Sequence, residues 1–572
     1  MSAHALTTSR RGTRVSLAAG IWLLPLIFLG LFFFYPLWSI LRLGLAPRQV
    51  IQVLVEDGGI IWRVVRFTLW QAILSTLLTL LVGMPAAYLF AHYRFPGKDL
   101  LRALTTIPFM LPTVVAAAGF NALLGPRGWI NVALMALLHL ERPPIPFLNT
   151  LAAILVAHVF YNTTIVLRIV GNAWAHLDPR LVQAARVLGA DSRRAFREVT
   201  WPLLRPAILA ASLLVFLFDF TSFGVVLILG GPRYATIEVE IFIQALRMLN
   251  VPLAAVLSLI QLLFTLALTI TYTHVLGRVV VPVAPRAAEE NVRRPRDRRE
   301  WAGLAVVVGV LILLLVTPLI ALVIRSFVQL EPATTGTREA VHRLTLAYYR
   351  ELFINRRASL FYVPPILAVR NSFLFALTTV VISLGLGLPT AFALARRGTA
   401  ARVLDPLLML PLGTSAVTLG LGFLIAFGRP PLNWRTSPWI IPLAHSLVAF
   451  PFVVRTLHPA LASIPPRLHE AAAVLGAPPW RVWKEVDLPI VARAAVVAGV
   501  FAFTVSMGEF GATSMLARPE FPTIPIAIYR FLAQPGALNY GQALAMSTIL
   551  MAVVTVAILV VEKVRIPGVG EF

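Results

Sequence analysis

Four titratable side chains stand out by where they fall. Asp219 lies in FLFDFTSFG and Glu509 in VSMGEFG, each inside a long apolar run. A carboxylate there must be hydrated, paired or protonated, because hydrocarbon cannot solvate it. Two readings follow for both acids. Either they line a translocation path, where they would suit a cationic cargo, or each makes a structural hydrogen bond to a neighbouring helix. His158 and His445 also lie early in apolar runs. Imidazoles could bind a metal, but nothing else in the sequence completes a metal cluster, so a hydrogen bond within a helix bundle is the expected role. The chain has no cysteine, which excludes thiolate catalysis, disulfides and Cys-based zinc sites. No convincing set of catalytic groups shares one depth, so no catalytic residue, metal or cofactor is expected in this chain. A phosphate-binding G-x-x-x-x-G-K-[ST] loop is also absent; FPGKD at 95–99 lacks the glycine spacing and the hydroxyl.

The elements that carry these residues follow from composition. Of 572 residues, 58% are hydrophobic and 13% charged, with a mean hydropathy of +0.83. An ordinary soluble chain is about one quarter charged. The net charge of +24 could suggest nucleic acid, but the basic residues sit in short clusters between apolar runs, which is the pattern of membrane loops. No nucleic-acid partner is expected. Apolar runs long enough to span a bilayer lie near 16–41, 67–92, 103–124, 149–171, 203–229 and 252–277. A second set lies near 301–327, 371–395, 406–427, 438–460, 490–516 and 541–561. The first run is too long for a signal-peptide core and no A-x-A site follows it, so it reads as a spanning helix. The prediction is an all-α polytopic membrane protein with about twelve transmembrane helices. The 131–140 segment is too short to span and should be interfacial. Pro108, Pro112 and Pro411 should break the third helix of each set, which marks those helices as candidate pathway elements.

An even number of crossings puts both termini on one side. That side carries roughly 28 Lys/Arg against roughly 19 opposite, so it is expected to be cytoplasmic. The charged stretch APRAAEENVRRPRDRRE at 284–300 reads as a cytoplasmic, solvated linker, with contact to anionic lipid as the lesser alternative.

The two sets of helices are copies. Gln183-Ala184-Ala185, Gly189 and Pro202 recur as Glu470-Ala471-Ala472, Gly476 and Pro489, each 287 residues on. The same offset pairs His158 with His445, Arg168 with Arg455 and Phe223-Gly224 with Phe510-Gly511. Residues 1–283 and 301–572 are therefore read as two homologous six-helix units in the same orientation. Asp219 and Glu509 are not equivalent, since the partner of Glu509 in the first copy is Ser222. The repeated loops QAARVLGADSRRAFREVTWP and EAAAVLGAPPWRVWKEVDLP each read as a helix, a glycine turn and a second amphipathic helix on the cytoplasmic face, with proline marking the start of the next span.

These loops resemble the EAA loop of permeases from bacterial ATP-binding-cassette importers: E-A-A, three residues, G, nine residues, then I-x-L-P. The second copy departs from it at Val486, the first at Gln183, Val199 and Trp201. The resemblance implies that Gln183, Ala184, Ala185, Gly189, Pro202, Glu470, Ala471, Ala472, Gly476 and Pro489 couple the chain to an ATPase. It implies as partners ATP-binding-cassette ATPase subunits, expected as a homodimer that binds the ATP, together with an extracytoplasmic solute-binding protein and membrane lipid. It also implies a multi-pass protein of the bacterial inner membrane with both termini cytoplasmic. Fused permeases of this kind are found among thiamine and ferric-iron importers. VVRFTLWQAILSTLL at 64–78, YRFPGK at 93–98, ILVAHVFYN at 154–162, LGGPRYATIEVEIFIQAL at 229–246 and SMGEFGATSML at 506–516 resemble the thiamine permeases. Thiamine or a related compound is thus the expected cargo, with iron as the alternative. A secondary transporter would need ion-coupling residues near the midplane, and its repeats are often inverted.

Overall fold

A computed structural model describes residues 22–276, 292–329, 344–355, 363–395, 399–428 and 433–564. Nearly all of them are helical. The first half contributes α1 (Trp22–Gly44), α2 (Pro47–His92), α3 (Lys98–Met110), α4 (Thr113–Leu124), α5 (Trp129–Leu138) and α6 (Leu151–Ala175). It continues with α7 (Pro179–Val187), α8 (Ser192–Phe220), α9 (Ile237–Phe242) and α10 (Val251–Leu276). The second half contributes α11 (Arg298–Ser326), α12 (Ala347–Glu351), α13 (Leu367–Ala395), α14 (Thr399–Met409), α15 (Ala416–Ala426) and α16 (Ile440–Ala462). It ends with α17 (Pro466–Val474), α18 (Trp480–Gly508), α19 (Gly511–Leu516), α20 (Ile524–Leu532) and α21 (Ala537–Val564).

Among the described residues ten helices are long and apolar enough to cross a membrane, or twelve if each of two bent pairs is one span. The bent pairs are the runs 103–124 and 406–427. α3 and α4 meet at 112°, and the segment ending in Gly413 meets α15 at 96°. Proline is the cause. The first break falls at Leu111-Pro112, and Pro411 lies in a 3-10 turn just before the second. Two other runs are shorter than the sequence suggests: helix ends at Phe220 rather than near 229, and at Gly508 rather than near 516. The start of the first run, before Trp22, lies outside the described residues.

Packing divides the chain into two compact units. One comprises Met1–Val50, Leu352–Ala527 and Leu550–Phe572. Its centre is α13, α16 and α18, which meet through Ala391, Ala449, Val453, Leu457, Val491, Ala498 and Ala502. Small residues let spanning helices approach closely without a hydrophobic drive between them. A Cβ on Gly387 would fall 2.5 Å from Val453 Cγ1. In the same unit α1 packs on α15, where a Cβ on Gly422 would lie 3.0 Å from Pro36 and 3.2 Å from Ile40.

The other unit comprises Ile51–Glu351 and Ile528–Ile549. Here α6 and α8 form the centre with the end of α2, through Ala87, Val166, Val170, Leu204, Ala207, Ala211 and Val215. Gly83 meets Val166 as Gly387 meets Val453. α11 packs on α4, where a Cβ on Gly119 would lie 3.1 Å from the Pro318 carbonyl oxygen. The repeat halves and the compact units are thus different divisions of one chain. Each unit includes the first helix of the half that supplies most of the other unit.

The equivalent glycines differ by 304 positions and the equivalent valines by 287, so the first half carries 17 more residues in between. α5 lies in that interval. It is short, Leu137 is 75% exposed, and only Asn131 is buried. The Asn131 amide donates to the carbonyls of Leu124, Gly125 and Ile145 and accepts from the Ile145 N–H, fixing this short helix to the segments on either side of it.

The described end of the linker is held rather than merely solvated. Arg293 N–H donates to the His92 carbonyl and the Arg94 N–H donates to the Arg293 carbonyl, both at 2.9 Å. The Arg293 guanidinium stacks over Tyr93 and forks onto Glu300 at 2.5 and 2.9 Å. A planar guanidinium suits stacking and a bidentate carboxylate together. Residues 284–291 lie outside the described residues.

Candidate functional site

The two repeated loops fold alike. Asp178 caps α7 by accepting from the Arg180 N–H at 2.9 Å, and Pro179 occupies the first turn, where its missing N–H costs nothing. The helix closes in a Schellman turn. Gly189 N–H donates to the Arg186 carbonyl and Ala190 N–H to the Ala185 carbonyl, both at 3.0 Å, with Gly189 at φ +90°. In the second copy Gly476 N–H donates to the Ala473 carbonyl and Ala477 N–H to the Ala472 carbonyl, also at 3.0 Å, with Gly476 at φ +71°. A left-handed residue at this point is cheap only for glycine. Gln183, Ala184, Glu470 and Ala471 are exposed; Ala185 and Ala472 are half-buried.

After each turn the chain forms one continuous helix that includes the following span, α8 in the first half and α18 in the second. The sequence suggests a separate amphipathic helix that stops where Pro202 or Pro489 begins the span. Instead a π-turn precedes each proline, at Phe196–Thr200 and Trp483–Asp487, in which Trp201 N–H reaches Phe196 and Leu488 N–H reaches Trp483. The wider turn lets the helix continue past a residue that cannot donate. The same exposed ion pair braces both copies: Arg194–Glu198 at 3.1 Å and Arg481–Glu485 at 2.9 Å. One clasp is unique to the second copy. His469 on α17 contacts buried Asp487 at 2.8 Å, where the first copy has Val182 and Thr200.

At the far ends of α8 and α18 lie the buried acids. Asp219 is 0% exposed and Glu509 7%. His158 Nδ1 lies 2.9 Å from Ser75 Oγ and 3.3 Å from Asp219 Oδ1, while its Nε2 lies 2.8 Å from Ser222 Oγ. Asn162 donates to Asp219 Oδ1 at 2.7 Å, and Gln71 to the Asp219 carbonyl at 2.8 Å. His445 Nδ1 lies 2.7 Å from Ser506 Oγ; its Nε2 lies 2.7 Å from Thr513 Oγ1 and 3.2 Å from Glu509 Oε2. Glu509 also accepts from the backbone of Ala512 at 2.7 Å and Thr513 at 2.8 Å, and from the Thr513 hydroxyl at 2.5 Å. Its carboxylate therefore satisfies the first free donors of α19. Both histidines and both acids are thus hydrogen-bonded within the bundle. Among the described residues no group of three His, Asp or Glu side chains could hold a metal ion.

A family profile described as "Binding-protein-dependent transport system inner membrane component" matches residues 79–281 and again 366–564. The chain belongs to this family. It is a fused permease subunit of an ATP-binding-cassette importer, a multi-pass inner-membrane protein. It is similar to the thiamine transport system permease proteins of Salmonella typhimurium, 30% identical over 536 residues (91% of this chain, 93% of the relative), and of Escherichia coli, 29% over 526 residues (90% and 91%). A putative 2-aminoethylphosphonate transport system permease protein of Salmonella paratyphi A is 28% identical over 272 residues, 94% of its length but 46% of this chain. That relative is the length of one half.

Two features of the permease escape a reading by sequence alone. Val187-Leu188 and Val474-Leu475, at equal repeat offset, are 85–88% exposed at the tips of the loop helices. Their signal was present, as the shared VLG of both loops, but apolar residues in a loop do not announce exposure. The second feature is the exchange of acid and hydroxyl around the histidines. It becomes visible only when Asp219 is aligned with Ser506 as well as Ser222 with Glu509.

Proposed function

We propose that this permease moves thiamine or a closely related compound, delivered by an extracytoplasmic binding protein, into the cytoplasm. Similarity to thiamine permeases over about nine-tenths of both chains supports that cargo. A partner ATPase, two copies of one subunit, binds ATP and docks on the loops that carry Gln183–Gly189 and Glu470–Gly476. The observation that carries the docking is the pair of apolar tips, Val187-Leu188 and Val474-Leu475, held out by matching glycine turns. Exposed apolar groups at equal places in a repeat suit a partner that presents the same cleft twice. Both termini and the linker lie on the ATPase side, and the binding protein meets the opposite face.

Movement at the loops reaches the far side through rigid elements. α8 runs 29 residues, about 43 Å at 1.5 Å per residue, from the first loop to Asp219. α18 runs the same length from the second loop to Glu509. Each lever ends at a histidine-centred network that pins the following short segment. In this reading Asp219 and Glu509 serve the pathway by fixing the elements around it rather than by touching cargo.

The test is reconstitution of the permease with its ATPase in liposomes. Uptake of labelled thiamine that requires both ATP and the cognate binding protein supports the proposal. Failure of that binding protein to bind thiamine would remove the cargo assignment. Failure of the ATPase to co-purify would remove the docking.

A further inference from the structure

The compact unit built mainly from the first half holds a buried cation outside the coupling loops and the histidine networks. Arg325, near the end of α11, is 4% exposed. One guanidinium nitrogen donates to the Arg127 carbonyl. Its Nε is buried and has no hydrogen-bond partner. Among the described residues no carboxylate forms an ion pair with it. The Tyr540 hydroxyl, on α21, is likewise buried without a partner. Tyr540 and Arg325 lie close enough to feel each other electrostatically, and Tyr348 and Arg127 complete the group around Arg325. Gly541 leaves room for the Tyr348 ring, whose atoms would otherwise meet a Cβ.

A guanidinium removed from water without a counter-ion is expensive, and an unsatisfied buried donor adds to that cost. Two unsatisfied groups near one another, both able to donate and both beside a second arginine, call for an oxyanion. The place is suitable. α11 starts beside the turn at 92–94, to which Arg293 is bonded. Tyr88 and His92 beside it pack edge-on against Trp174, at the end of α6 that leads into the first coupling loop. Arg325 is therefore about 40 Å along the helix from the coupling side, near the opposite membrane surface. Arg127 is exposed at the rim.

We propose that Arg325, the Tyr540 hydroxyl and Arg127 form a site for a phosphate-type oxyanion, supplied by an anionic lipid headgroup or by free phosphate. The guanidinium fork forms the floor and takes two oxygens; the phenol donates to a third.

The purified full-length permease, delipidated, is placed in nanodiscs of phosphatidylethanolamine, with or without phosphatidylglycerol, and separately given inorganic phosphate. Thermal unfolding and native mass spectrometry of retained lipid are the readouts. A stabilisation by phosphatidylglycerol alone, with retained lipid falling about tenfold in Arg325→Gln, supports a headgroup site; tenfold corresponds to about 1.4 kcal/mol. Stabilisation by inorganic phosphate that is lost in Arg325→Gln supports the same site with a free anion. Tyr540→Phe removes one hydroxyl and should weaken either effect, which keeps the test decisive if Arg325→Gln folds poorly. Equal response of wild type and both variants to each probe, or no response of wild type to either, overturns the proposal.

Discussion

Ser222 and Glu509 occupy the same repeat position and face the same atom of equivalent histidines: Ser222 lies 2.8 Å from His158 Nε2, Glu509 3.2 Å from His445 Nε2. At the other imidazole nitrogen the roles reverse, with Asp219 in the first half and Ser506 in the second. Each histidine therefore keeps one acid and one hydroxyl on residues three apart, one helical turn. The two halves have exchanged the acid across the ring while keeping the pairing.

That exchange makes a test. Glu509→Gln leaves His445 without its carboxylate and sets an amide against the Ala512 and Thr513 N–H groups. A lost charged hydrogen-bond partner in a buried site costs about 1.5–3 kcal/mol. The thermal midpoint and the yield of assembled complex should fall together with uptake. The double variant Ser506→Asp/Glu509→Ser copies the first-half pattern and should recover more of both than either single change. A stable Glu509→Gln complex with slowed uptake would instead return the acid to the cargo path.

Gly476→Ala forces a Cβ into left-handed backbone, at about 1–2 kcal/mol. The open space around Gly476 means that no side-chain clash adds to this. The variant should reach the membrane, while ATPase co-purification and ATP-dependent uptake fall. Gly189→Ala should act in the same direction. Uptake and ATPase stimulation at wild-type level in Gly476→Ala would remove the turn from the coupling path.

Leu188→Glu and Leu475→Glu change residues with 88% and 85% exposure. They should leave the thermal midpoint of the isolated permease unchanged and abolish or strongly weaken ATPase binding, as measured by pull-down. A drop in permease stability with binding intact would show the tips to be packing residues.

The His469–Asp487 clasp should make the second loop the more rigid. Hydrogen–deuterium exchange in His469→Ala should rise across 466–476 and stay level across 179–189. Equal protection of the two loops before the substitution, and no change after it, would count against the clasp.

Much of this was legible in the sequence because it depends on local chemistry. The number of spans follows from apolar runs, the breaks near Pro112 and Pro411 from a missing donor, and the left-handed turns at Gly189 and Gly476 from glycine after a run of helix formers. The 287-residue offset aligned the halves without any structure. What was not legible depends on contacts far apart in sequence. Apolar runs continue past Phe220 and Gly508, so hydropathy could not place the ends of α8 and α18. Those ends are set by side chains such as Gln71, which bonds the Asp219 carbonyl across 148 positions. The π-turns before Pro202 and Pro489 follow from helix continuity, which composition does not encode.

The exchange of first helices has a consequence for the linker. α1 seats Pro36 on Gly422, and α11 seats Pro318 on Gly119, so each compact unit draws helices from both halves of the sequence. Cutting the peptide between residues 284 and 300 would yield two polypeptides without yielding two folding units. Each fragment would carry away a helix the other needs. The linker thus fixes a one-to-one ratio of halves, while the packing of each unit depends on a helix from the other half.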